Sequence, residues 1–210
     1  MAHATMAVVT PVSPAPVVLV LGDEELLVVR AVSAVVKAAR AADPNADVRE
    51  YEASDVAPGE VAEMLSPSLF GGRRVLVLHN GQDARKELVS VLLEYTKAPD
   101  PEVILVVTHA GGAKGKAFAE GLRSAGASIL PAAKLKRDQE RIAFIQNEIR
   151  SHGGQCPREA AAALLAAVGN DLRELASACA QLVADTGGRI GTYTVARYYR
   201  GRAEVSGFTV

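Results

Sequence analysis

Two lysines in a glycine-rich turn are the first residues of this chain with the chemistry to bind an anion. They lie in Gly111-Gly112-Ala113-Lys114-Gly115-Lys116-Ala117, after a β-branched run that ends at Thr108 and ahead of a helical pattern. Backbone N–H and ammonium groups at such a turn can hold phosphate, but the stretch lacks the spacing and the hydroxyl of a phosphate loop. Lys114 and Lys116 therefore read either as a flexible basic turn or as a contact for an anion or a DNA backbone. The loop after the first apolar run, Gly22-Asp23-Glu24-Glu25-Leu26-Leu27, stands where a nucleotide-binding α/β domain would carry glycines and a Lys-Ser/Thr pair. Its three carboxylates repel phosphate, and Asp23 or Glu24 is better explained as favourable charge in the first turn of a helix. Nucleotide binding is not expected at that loop.

His79 and His109 each end a β run, at the edge where α/β sites form. Neither has a Ser or Cys nucleophile in a recognisable turn beside it, so both read as structural. His152 and Cys156 would need two further ligands to share a metal, and Gly153-Gly154-Gln155 between them reads as a turn. No metal or other cofactor is expected. Arg73-Arg74, Lys134, Lys136 and Arg137 are local basic clusters without interleaved aromatic residues, the pattern of solvated faces and not of a stacking platform. A different capacity resides in Leu69-Phe70, within Ser66-Pro67-Ser68-Leu69-Phe70-Gly71-Gly72-Arg73-Arg74. The pair precedes the β run Val75-Leu76-Val77-Leu78, where a connecting loop should be polar. It is either a plug for another protein or packing beneath the start of the strand.

The elements that must position these residues fall into two groups. From Val17 to about Pro131, β runs near Val17 to Leu21, Asp47 to Tyr51, Arg74 to His79, Glu102 to Thr108 and Ser128 to Leu130 alternate with helical patterns. Val17 to Leu21 and Val103 to Val107 lack polar alternation, the mark of parallel strands covered on both faces, so a doubly wound α/β layer is expected. After Pro131 the pattern is helical only. A helix from Lys134 to His152 carries Ile142, Ile145 and Ile149 on one face and ends at Gly153-Gly154. Pro157 suits the first turn of the next helix, and Asn170 would cap a third that Gly187-Gly188 stops. A short fourth helix spans about Tyr193 to Tyr199. The expected organisation is a disordered tail at 1–15, an α/β domain at 16–133, a helical domain at 134–200 and the start of a linker at 201–210.

Composition bounds the function classes. The 210 residues are 49% hydrophobic, ample for a core, and the net charge of -1 excludes a global basic field, so any nucleic-acid contact must be local. Two cysteines are too few for a disulfide scaffold or a four-ligand zinc site and fit a reducing cytoplasm. The Val17 to Leu21 run is too short for a signal-peptide core and meets acid at Asp23, so neither export nor membrane insertion is expected.

Four motifs then come in a telling order. They are Leu21-Gly22-Asp23-Glu24-Glu25-Leu26-Leu27 in place of a phosphate loop, Ser68-Leu69-Phe70 before a strand, Gly169-Asn170-Asp171-Leu172-Arg173-Glu174-Leu175 in the helical part, and Phe208-Thr209-Val210 leading onward. In this order, over roughly residues 16 to 210, the chain resembles the delta subunit of the bacterial DNA polymerase III clamp loader, closest to the high-Ala, high-Val actinobacterial versions. The resemblance implies an AAA+-like parallel sheet domain with a degenerate phosphate loop, followed by a small all-α lid domain. It also implies that the chain binds no ATP, and that an apolar pair enters a hydrophobic pocket of the sliding clamp (beta) and holds one ring interface open for loading onto primed DNA during replication. Leu69 and Phe70 match that pair, and Ser68, Gly71 and Arg73 would frame it. Pro67 stands where some relatives carry a bulkier apolar side chain, which would make the contact smaller.

Further partners implied are the gamma/tau and delta-prime subunits, reached through the AAA+-like domain and through a helical collar domain at whose threshold this chain stops, and primed DNA within the complex. ATP hydrolysis would belong to those subunits. No intrinsic catalysis is expected, although membership of the complex would class the chain with DNA-directed DNA polymerase, a nucleotidyltransferase. The delta-prime subunit is a nearby rival, but its Ser-Arg-Cys motif and zinc cysteines do not occur here. From other classes come a nucleotide-binding α/β enzyme or NTPase using the 111–117 loop, and a structural adaptor with Leu69 and Phe70 buried internally.

Overall fold

Successive residues of a strand point to opposite faces of its sheet, so an unbroken apolar run must be covered twice. The computed structural model, which describes residues 15–67 and 71–206, meets that condition. The strands are β1 (Val17–Leu21), β2 (Asp47–Glu52), β3 (Arg74–His79), β4 (Val103–His109) and β5 (Ser128–Pro131). All pair in parallel, in the order β2-β3-β4-β1-β5. Leu19, Leu76, Leu78, Leu105 and Val107 point to one face and pack with α2 (Pro58–Leu65), α3 (Lys86–Tyr95) and α4 (Lys116–Ser124) through Val61, Leu88 and Phe118. Val18, Val20, Val75, Ile104 and Val106 point to the other face, where α1 (Glu25–Ala42) covers them with Val32, Val35 and Ala39. β4 is buried throughout, whereas the outer strand β2 reads Asp-Val-Arg-Glu-Tyr-Glu and is largely exposed, as befits a sheet edge.

The chain divides into two compact units, Met1–Lys134 and Leu135–Val210. The second unit contains α5 (Asp138–Ser151), α6 (Arg158–Val168), α7 (Leu172–Thr186) and α8 (Thr192–Ser206). Ile142, Ile145 and Ile149 of α5, Leu164 of α6, and Leu175, Cys179 and Leu182 of α7 form its buried stripes. Among the described residues, no helix is long and apolar enough to cross a membrane.

Several helix ends differ from the sequence expectation. α5 starts at Asp138 and not at Lys134, because the Glu140 carboxylate turns back to accept the N–H groups of Lys136 and Arg137, both at 3.0 Å, and closes the helix there. Pro157 is the N-cap of α6 and not its first helical residue. Asp171, not Asn170, caps α7; its Oδ1 accepts from the N–H groups of Arg173 and Glu174, both at 2.9 Å. α8 runs on to Ser206, through the stretch read as a linker start. At α1, Glu25 is the first-turn acid and Glu24 the N-cap residue, without a side-chain cap, while Asp23 pairs with Lys134 at 3.4 Å.

Candidate functional site

In an α/β fold of this topology, ligands collect at the carboxyl ends of the strands, so the loop after β1 is the first place to look. Here it is closed by backbone. The Gly22 N–H donates to the His109 carbonyl and the Glu24 N–H to the Ala132 carbonyl, both at 2.9 Å. Gly22 has φ +144°, and a Cβ there would stand 2.0 Å from the Ala132 carbonyl carbon. Two of the amides of this loop are thus taken up by carbonyls at the end of β4 and just past β5, and the same stretch carries the carboxylates of Asp23, Glu24 and Glu25. The phosphate loop is degenerate in its backbone as well as its side chains.

The remaining strand ends are joined by a polar network. His79 Nε2 lies 2.8 Å from a Glu50 oxygen, and Asn80 Nδ2 donates to Glu52 at 2.9 Å. Asn80 sits in the left-handed region at φ 55°, which turns its N–H onto Thr108 Oγ1 at 3.0 Å. Gln82 donates to the Asn80 side chain at 3.1 Å and accepts the Ala110 N–H at 3.1 Å. His109 is buried; its Nδ1 accepts the Gly111 N–H at 3.0 Å, so Nε2 is the protonated nitrogen and donates to the Gly115 carbonyl at 3.1 Å. His79 thus ties β3 to β2, and His109 pins the loop between β4 and α4. Lys114 pairs with Asp83, and Lys116, which opens α4, pairs with Glu120 at 3.5 Å. The structure brings these two lysines to carboxylates of their own chain and not around a shared vacancy.

Ser68, Leu69 and Phe70 lie outside the described residues, but both approaches to them are held. On the entry side, Arg74 of β3 donates from Nη1 to the Met64 carbonyl at 2.8 Å and from Nη2 to the Ser66 carbonyl at 2.5 Å, gripping the last turn of α2. On the exit side, Gly71 and Gly72 have φ +69° and +91°, conformations in which a side chain would be strained. The Arg73 N–H then donates to Asp43 Oδ2 at 3.0 Å. The N–H groups of Arg73 and Asn45 hold the Asp43 carboxyl below its ordinary range. Beside the entry lies an open, largely apolar groove lined by Leu65, Pro67, Val91, Tyr95 and Pro99. Asp43 and the grip of Arg74 carried no sequence signal beyond charge, since their partners are backbone groups whose direction depends on the fold.

In the helical unit, His152 lies 3.6 Å from Glu148, and burial pushes the Cys156 thiol up to about 11, so it is protonated at neutral pH and a poor metal ligand. Among the described residues, no group of three or more His, Cys, Asp or Glu side chains is arranged to hold a metal ion.

No protein-family model matches the chain, and neither does any curated protein sequence. The fold is similar to that of the Bacillus subtilis DNA clamp loader delta protein (YqeN), with a TM-score of 0.65 at 20% identity, covering 88% of this chain and 58% of that one. It is also similar to that of the Thermotoga maritima RuvB Holliday junction branch migration motor, with a TM-score of 0.50 at 15% identity, covering 86% of this chain and 60% of that one. The fold is AAA+-like. Within the AAA+-like sheet, the order β2-β3-β4-β1-β5 places the degenerate phosphate loop at the end of the strand second from one edge. The chain spans less than two thirds of the length of either of these two structures.

Proposed function

We propose that this chain is a delta-type clamp-loader subunit that binds the sliding clamp and opens its ring without hydrolysing ATP. The observation that carries the reading is the phosphate loop of an AAA+-like fold closed by its own backbone, with Gly22 and Glu24 amides held by His109 and Ala132. A fold that has given up its nucleotide loop needs another way to act, and the tethered segment between Arg74-bound Ser66 and Asp43-bound Arg73 offers one. Leu69 and Phe70 in that segment are the plug, with Ser68 in its frame. Each contributes about 1.5–3 kcal/mol when buried in a partner, before the cost of ordering. Ring opening needs no chemistry in this chain, because tighter binding to the open than to the closed ring shifts the population toward it.

The partners proposed are the clamp, the gamma/tau and delta-prime subunits and, within the assembly, primed DNA; the finer likeness to actinobacterial versions belongs to the same proposal. The B. subtilis relative is by its own description a DNA clamp loader delta protein. The competing NTPase reading of the 111–117 loop is weakened by the pairing of Lys114 with Asp83 and of Lys116 with Glu120.

The test is binding of the chain to a bacterial sliding clamp, wild type against Leu69→Ala/Phe70→Ala, with thermal melting of both. Loss of clamp binding at unchanged melting supports the plug. A melting point lowered as for a core truncation, worth about 2–5 kcal/mol per side chain, would instead make the pair internal packing.

A further inference from the structure

A parallel sheet buries its apolar residues only where something covers them, and within the first unit the two faces are covered unequally. Among the described residues, α2, α3 and α4 pack on one face and α1 alone on the other. Five strands about 4.8 Å apart span about 19 Å, whereas a helix with its side chains is about 10 Å wide. α1 packs over Val18 of β1, Ile104 of β4 and Val75 of β3, so the edge strand β2 reaches past its width. An open cleft of about 630 Å³ occupies that flank. One wall is a stripe of α1, in which Val29, Ser33 and Val36 recur at helical spacing beside the core stripe of Val28, Val32, Val35 and Ala39. The other wall is the ends of β2 and β3. Parallel register sets Glu50 beside Val77 and Glu52 beside His79, so both carboxylates stand on the face that α1 covers.

Two features set this flank apart from a solvated surface. Val29 is 55% exposed, one of three large apolar side chains so exposed among the described residues. The lining also holds Asp23, Glu25, Glu50 and Glu52 and no lysine or arginine. Asp23 has Lys134 at 3.4 Å, but Glu50 and Glu52 are held by His79 and Asn80, at 2.8 and 2.9 Å, and neither is a permanent cation. The segments outside the described residues, 1–14, 68–70 and 207–210, contain no lysine or arginine and cannot supply the counter-charge.

We propose that this flank docks a basic amphipathic helix of another protein, with its apolar stripe on Val29 and Val36 and its lysines or arginines reaching Glu50 and Glu52. Such a helix completes the layer that α1 begins. It covers the apolar stripe and sets positive charge against a wall of one sign, which steers the encounter and fixes the register of docking. A nucleotide or a nucleic acid strand is repelled by the same carboxylates. The inference stands on the first unit alone and does not rest on clamp binding.

The probe is a labelled synthetic helix of about 15 residues, with leucines along one stripe and lysines on either side, followed by fluorescence anisotropy with the full chain. It is expected to bind, less tightly as salt is raised. Glu50→Gln/Glu52→Gln keeps both hydrogen-bond acceptors and should weaken binding about fivefold or more, and Val29→Gln about threefold. Glu60→Gln/Glu63→Gln removes the same charge from α2, on the opposite face of the sheet, and should leave binding as it was. Val29, Glu50 and Glu52 are exposed, so melting is expected to be unchanged in the cleft variants. In amide NMR spectra the peptide should shift Val29, Ser33, Glu50, Glu52 and His79 and leave α6 and α7 unmoved. Absence of binding, equal weakening by the α2 variant, or equally tight binding of a scrambled peptide without the stripe would each overturn the proposal. So would a dimer of the chain in sedimentation equilibrium that Glu50→Gln/Glu52→Gln dissociates, since the occupant would then be a second copy.

Discussion

Replacing Arg74 with methionine tests whether the segment carrying Leu69 and Phe70 is anchored as described. Methionine retains an apolar stem but removes the two hydrogen bonds to the Met64 and Ser66 carbonyls, at 2.8 and 2.5 Å. A hydrogen bond from a charged donor contributes about 1.5–3 kcal/mol when buried; Arg74 is only partly buried, so about 1–1.5 kcal/mol each is appropriate, or about 2–3 together. Against this, the Arg74 Nε–H is buried without a hydrogen-bond partner among the described residues, and removing that donor returns about 1 kcal/mol. The expected net loss is about 1–2 kcal/mol, which for a unit of this size lowers the melting temperature by about 3–10 °C. Differential scanning calorimetry of wild type, Arg74→Met and Arg74→Lys reads it, with the lysine variant between the other two. Under the clamp-binding proposal Arg74→Met also weakens clamp affinity, because the entry to the plug is no longer held. An Arg74→Met chain that melts at or above the wild-type temperature would refute the anchoring argument.

Three further outcomes follow from the same structure. Gly115 has φ +66°, and a Cβ there would lie 2.6 Å from Gln82 Cα and 2.9 Å from His109 Nε2, so Gly115→Ala should cost more than about 2 kcal/mol; a urea midpoint equal to wild type would contradict it. The Asp43 carboxyl, held below its ordinary 3.8 by the N–H groups of Arg73 and Asn45, contributes stability that is present above that value and lost as pH falls through its lower folded value. The stability difference between wild type and Asp43→Ala should therefore be constant from neutral pH down to about 3.8 and shrink below it, and a gap that persists in strong acid would show another origin. Placing a lysine in the closed loop, as Glu24→Lys, should not create binding of a fluorescent ATP analogue, since the Gly22 and Glu24 amides stay with His109 and Ala132; saturable binding would mean the loop opens.

The strands were legible because their signal is local. Val17 to Leu21 and Val103 to Val107 are apolar at every position, and only a twice-covered strand accommodates that composition. The end of α8 was read at about Tyr199 where the helix runs on to Ser206, and other helix ends were missed where a side chain decided them: Glu140 reaching back over Lys136 and Arg137, and Asp171 outcompeting Asn170 for the α7 N-cap. The acidic character of the loop after β1 was legible directly, through charge. The pairing of Lys114 with Asp83 and the grip of Arg74 on α2 were invisible, since the spacing of these residues in the chain resembles that of any solvated cation.

By itself the sequence determined an α/β sheet followed by helices, a first loop hostile to phosphate, and an apolar pair at Leu69 and Phe70 in a place that should be polar. Those conclusions follow from hydrophobic period and charge, which act between neighbours along the chain. Only the tertiary structure decided that the loop is also closed by backbone, that Asp43 and Arg74 hold the two approaches to the apolar pair, and that Glu50 and Glu52 share a cleft with Val29 of α1. Each of these joins groups far apart in the chain, and a hydrogen bond depends on where two atoms point once the sheet and the helices have packed.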